Sequence, residues 1–147
     1  MKRYQRRYDE NVAQVLKQCA LKAVDILSDD GRSPVYSGLS RSNWRATANT
    51  PSSEFNPGLE WQSALGKAQL LALAKAGTAG VTHSTKDVYV TNNTSYIETI
   101  GLKNTQHIKS APKQWYRNLI RQLEHEIKMR ARLLQANGVQ IHRSKGF

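Results

Sequence analysis

At 147 residues the chain suits a single domain, long enough to bury roughly two-thirds of its unfolded surface. Its 22 basic residues outnumber 11 acidic ones, a formal charge of +11 that favours a polyanion or an acidic protein surface as neighbour, and a hydrophobic content of 39% points to a modest core with surface left for partners. One cysteine excludes an intramolecular disulfide, the lack of an apolar run of about 18 residues excludes a membrane span, and no apolar segment follows the basic N-terminus to make a secretory signal, so the expectation is a reducing, cytoplasmic origin.

Residues 1–8 hold Lys2, Arg3, Arg6 and Arg7 with no acid, and read as a basic arm that is either solvated or runs on into the first helix. From about residue 9 to 28, Val12, Leu16, Cys19, Ala23 and Leu27 recur at helical spacing, with Val15 and Ile26 widening the stripe. Cys19 on that stripe reads as a buried, inert thiol. Asp9 and Glu10 favour the first turn, and Asp29-Asp30-Gly31 ends the helix. Pro34 and Gly38 punctuate a turn. Residues 43–49 alternate as a strand, with Trp44, Ala46 and Ala48 on one face; Asn43, Arg45, Thr47 and Asn49 make the other face polar, and it is expected to be wet.

Asn56-Pro57 predicts the start of a second helix reaching about residue 76, with a stripe of Trp61, Leu65, Ala68 and Ala72 and with Gly77 and Gly80 ending it. Six alanines between Ala64 and Ala79 predict close packing against neighbouring backbone. Residues 87–91 (DVYVT) read as a strand, with Val88 and Val90 on one face, and Asn92-Asn93 turns it. A short piece at 96–101 and a polar loop at 102–110 follow. Ala111-Pro112 opens the longest helix, to about residue 136, with Tyr116, Ile120, Leu123, Ile127 and Leu134 as its stripe and Glu124 and Lys128 one turn apart. Residues 137–147 form a basic tail, either frayed or able to add a strand to a partner's sheet. The fold class is therefore α+β: a small antiparallel sheet packed by an N-terminal, a middle and a long C-terminal helix. The domain is 1–147, with an arm at 1–8, a core at 9–136 and a tail at 137–147.

Catalytic patterns are missing. His83, His107, His125 and His142 have no second ligand at metal spacing, no phosphate loop is present, and Ser37-Gly38 lacks the preceding glycine of a nucleophile elbow. The expectation is a non-enzyme without cofactor or metal. Tyr4 and Tyr8 among arginines interleave aromatic and basic residues as single-strand binders do, and any DNA contact is expected to be through phosphates without sequence preference.

Two blocks carry a family resemblance. Ser33-Pro34-Val35-Tyr36-Ser37-Gly38-Leu39-Ser40-Arg41-Ser42-Asn43-Trp44 is similar to a segment, Thr/Ser-Pro-Val-Asp-Thr-Gly-x-x-Arg-x-Asn/Ser-Trp, of the tail-completion or neck proteins of long-tailed bacteriophages (minor tail protein Z-like). Val88-Tyr89-Val90, then Asn92-Asn93-Thr94-Ser95-Tyr96, then Ser110-Ala111-Pro112 resembles that family's second block, a strand, Asn-Asn-x-Pro-Tyr, and Ala-Pro before a long helix. Order and spacing cover residues 10–134. Tyr36 stands where the family has Asp, Ser95 replaces a Pro, and the Glu-x-Gly expected after Tyr96 is not kept: Gly101 falls near the place of its glutamate and Lys103 near that of its glycine.

The resemblance implies a virion structural protein at the head-tail junction, made in the host bacterial cytoplasm. It implies a homo-oligomeric ring, most often a hexamer, that completes the tail and meets the head connector on one side and a tail terminator or tail tube protein on the other. Pro34 and Gly38 would set the turn, Trp44 would anchor the strand to a helix, Asn92 and Asn93 would cap the strand end, Tyr96 would pack beneath the loop, and Pro112 would open the last helix. Arg41 either pairs across a subunit boundary or is a solvated charge. DNA passes through such a ring, so Lys103, Lys109 and Lys113 are candidates for lining it. The alternatives are a tail terminator that caps the tube, or a basic nucleic-acid-binding accessory protein.

Overall fold

The computed structural model describes residues 2–29, 37–95 and 115–133. The chain is α+β. Helix α1 spans Lys2–Leu27, a short α2 spans Leu39–Ser42, strand β1 spans Trp44–Ala48, α3 spans Lys67–Gly77, β2 spans Val88–Asn92 and α4 spans Trp115–Leu133. The two strands pair antiparallel, with Trp44 opposite Asn92, Ala46 opposite Val90 and Ala48 opposite Val88.

The expected basic arm is the first two turns of α1. Gln5 donates to Asp9 (2.9 Å) and Arg6 pairs with Glu10 (3.1 Å), both one turn apart, so side-chain pairs extend the helix beyond its buried stripe. At 26 residues α1 is about 39 Å long. Among the described side chains Ala13 is the first along it to be buried, and Tyr4 is 83% exposed. The buried set on α1 is wider than one stripe: Ala20 and Val24 lie beside Cys19, Ala23, Ile26 and Leu27. The cause is a second neighbour. Ala20 and Val24 pack with Ala46 of β1 and with Leu70 and Ala74 of α3, while Ile26 and Leu27 pack with Leu119 of α4. Val90 touches both clusters and joins them into one core. Helix α4 runs antiparallel to α1: Leu119 meets Ile26 and Leu27, and a turn near its other end Arg130 donates from Nη1 to Gln18 Oε1. Glu126 and Arg130 pair one turn apart on α4 (3.8 Å).

The second helix is shorter than Asn56-Pro57 predicts. Asn56 turns its side chain onto Gly58 N (Oδ1 accepts at 2.9 Å), making a local turn instead of a helix cap. A single 3₁₀ turn at Trp61–Ser63 follows, and α3 begins only after Gly66. Its inward residues are Leu70 and Ala74, one turn apart, with Leu71 partly buried; Ala68 and Ala72 face outward. Ala64 and Ala74 are the alanines of this stretch that pack closely, against Gly38 and within the core respectively. Gly77 is the last helical residue, and its role is proximity: a Cβ there would stand 2.0 Å from the Ala46 carbonyl oxygen, so α3 lies directly on the backbone of β1.

The polar face of β1 is dry at its Asn43–Arg45 end, while Thr47 is half-buried and Asn49 exposed. Asn43 is 1% and Arg45 7% exposed, because residues 50–56 fold back over that face. The sheet therefore lies between α1 and α3 on one side and this loop on the other.

Candidate docking surfaces

Residues 37–45 act as a clamp that positions the loop. At Gly38, φ is +85°, and an added Cβ would approach Ala64 Cβ to 2.6 Å; both the turn and the contact require glycine. Trp61 N donates to Ser37 O (2.6 Å), and Leu65 N donates to Ser42 Oγ (2.8 Å). The Asn43 amide imitates a strand partner for Asn56: its Oδ1 accepts from Asn56 N (2.8 Å) and its Nδ2 donates to Asn56 O (3.1 Å) and to Leu39 O (2.9 Å). Arg45 donates from Nη1 to Ser42 O (2.8 Å) and Trp44 O (2.9 Å), and from Nη2 to Glu54 Oε1 (3.1 Å). A buried guanidinium needs these acceptors because desolvation without them is costly.

The second motif block closes the same clamp from β2. Asn92 Nδ2 donates to Ser40 O (2.7 Å) while its Oδ1 accepts from Thr94 N (3.0 Å). Asn93 Nδ2 donates to Ser52 O (2.9 Å) and Glu54 O (3.0 Å). Trp44 is half-buried and packs against Ile26, Leu27 and Leu119, so it ties β1 to both α1 and α4. Arg41 is half-buried, with Nη2 3.9 Å from where a Cβ on Gly38 would stand, so its guanidinium folds back over the turn. The structure thus brings Gly38, Arg41, Asn92 and Asn93 to the clamp, while Trp44 faces the helices on the other side of the sheet. Pro34, Tyr96, Lys103, Lys109, Pro112 and Lys113 lie outside the described residues.

The clamp holds a surface that the helical reading of 56–76 missed. Trp61 sits at φ +52° and is 60% exposed, and Phe55, earlier in the same loop, is exposed as well. A bulky residue in the left-handed region costs about 1–2 kcal/mol, and such strain persists only where the surroundings enforce it. Here the bond from Trp61 N to Ser37 O enforces it. The composition signal for this surface was the clustering of Pro51, Ser52, Ser53, Pro57 and Gly58, residues of loops and turns more than of helices.

A second surface lies on α4. Arg117, Arg121, His125, Lys128 and Arg132 are all exposed and follow one another at three- and four-residue spacing, within an arc of about 80° opposite Leu119 and Leu123. Met129, also exposed, borders the stripe.

Among the described residues no group of three His, Cys, Asp or Glu side chains could hold a metal ion, and no helix is long and apolar enough to cross a membrane. Cys19 is buried at the α1–α4 contact; burial pushes its thiol up, Arg130 pulls it down and Glu126 adds to the rise, with burial the largest effect. Such a thiol is a poor nucleophile. Compared with known proteins, the chain matches no family model, no curated protein and no solved structure.

Proposed function

We propose that this chain is a structural protein of the bacteriophage neck, which as a ring completes the tail and joins it to the head connector. The observation that carries the reading is the order of the two motif blocks in the sequence, residues 33–44 and 88–112, between helical segments. In support, the described motif residues Gly38, Trp44, Asn92 and Asn93 spend their contacts inside the subunit, as scaffold residues do, and leave other surfaces to partners.

Deleting the chain from its phage tests the reading. Tails of normal length that fail to join filled heads are expected. Tails of wrong length would transfer the role to a terminator, and infectious particles would remove both. Lys103, Lys109 and Lys113 are proposed to meet the DNA that passes through the ring, and replacing all three by Glu is expected to impair DNA retention or passage. A nucleic-acid-binding accessory role is separated by a gel shift: strong, salt-dependent binding of DNA by the isolated monomer would favour it over a ring component.

A further inference from the structure

The two exposed surfaces are opposite in charge. Residues 50–66 contain two acids, Glu54 and Glu60, and no Lys, Arg or His, in a chain of net charge +11. The Glu54 side chain stays 60% exposed while paired with Arg45. The loop covers the sheet face that carries Arg45 and Thr91. The other sheet face, with Ala46, Val88 and Val90, packs on α1, and α4 lies against α1 on that side. Glu54 and its neighbours therefore lie on one side of the sheet, and the basic stripe bordered by Met129 belongs to a helix packed on the other.

We infer that residues 50–66 of one copy dock on the α4 stripe of a second copy, head to tail. Trp61 is the anchor. It is large and 60% exposed, and the bond from its N to Ser37 O already fixes its backbone, so docking costs little main-chain freedom. Met129 offers it a polarisable apolar contact, and Arg121 and Lys128 face Glu54 and Glu60 across the rim. A contact between two different surfaces of the same chain repeats from copy to copy, and closes into a ring when the rotation between copies allows. The docking stands on these two surfaces alone; only its closure into a ring rests on the neck reading.

The test is sedimentation of the full chain over a range of concentration up to about 1 mM, at low and high salt. Concentration-dependent association that weakens with salt is expected. Trp61→Gly suits the positive φ, so the fold is kept, and it is expected to weaken association at least about thirtyfold. The double variant Arg121→Glu, Lys128→Glu, on the exposed face of α4, is expected to weaken it as well, with circular dichroism unchanged in both.

The decisive arm mixes the two variants. Each retains one intact surface, so an equimolar mixture is expected to form a dimer and nothing larger. A chain that stays monomeric throughout overturns the inference, as does a mixture that forms no dimer. It is also overturned if the α4 variant still associates but loses binding to duplex DNA, which would assign the stripe to nucleic acid. A neck ring seen in particle images that survives both variants would sink this interface and spare the neck reading. Association through these surfaces, with infectious particles after deletion of the chain, would do the reverse.

Discussion

Asn43 shows how much one side chain decides here. Its amide satisfies both backbone groups of Asn56 across 13 residues of chain, so a long loop gains a strand-like partner without a third strand. Gly38 works by absence: a side chain there meets Ala64 and a disfavoured φ together. Gly38→Ala is expected to destabilise the protein by about 2–4 kcal/mol, read as a lower denaturant midpoint with an unchanged slope. Cys19 makes a pH prediction. Its thiol is raised in the folded state, so its contribution is complete below about pH 8.5, where an unfolded thiol begins to ionise, and is lost as pH rises through the folded value. Stability is expected to decline above that pH, and Cys19→Ala to lack that part of the decline in denaturation measured from pH 7 to pH 10.

At the scale of elements, α1 and α3 depart from the sequence reading in opposite directions, for related reasons. Helix α1 starts earlier because pairs such as Arg6–Glu10 support it without a core. Amides of residues 3–9 are therefore expected to exchange with solvent much faster than those of residues 20–27, which pack on two neighbours. Helix α3 starts later because residues 56–65 are claimed by the clamp: Asn56 by Asn43, Trp61 by Ser37 and Leu65 by Ser42. Its contact with β1 is so close that Gly77→Ala must move the helix off the Ala46 carbonyl. A loss of about 3 kcal/mol is expected in equilibrium unfolding, although alanine is the better helix former.

For the whole molecule, Val90 is the joint between the core of α1, α3 and the sheet and the core of α1 and α4. Val90→Ala is expected to cost about 2 kcal/mol and to lower the protection of α3 and α4 together, because both lose a shared neighbour. The layering also separates the two charged surfaces, since the sheet and α1 stand between the loop and α4. Net charge alone does not reveal that separation, because a sum carries no position.

Elements whose signal is local can be read from residue order. The periodicity of Leu16, Cys19, Ala23 and Leu27 marked α1, the alternation in residues 43–49 and 87–91 marked the two strands, and the apolar spacing of residues 120–127 marked α4, which together make an α+β fold. What covers what depends on contacts between distant segments. Arg45 and Asn43 read as solvated because nothing within a strand reports a loop that returns to cover it. Trp61 read as core because large aromatics usually are, whereas here Ser37, 24 positions earlier, holds its backbone in a turn that faces outward. Local patterns record the preferences of neighbours in the chain; contacts such as Gly38 with Ala64 and Asn92 with Ser40 form only when distant segments meet, and they settle which surfaces remain for partners.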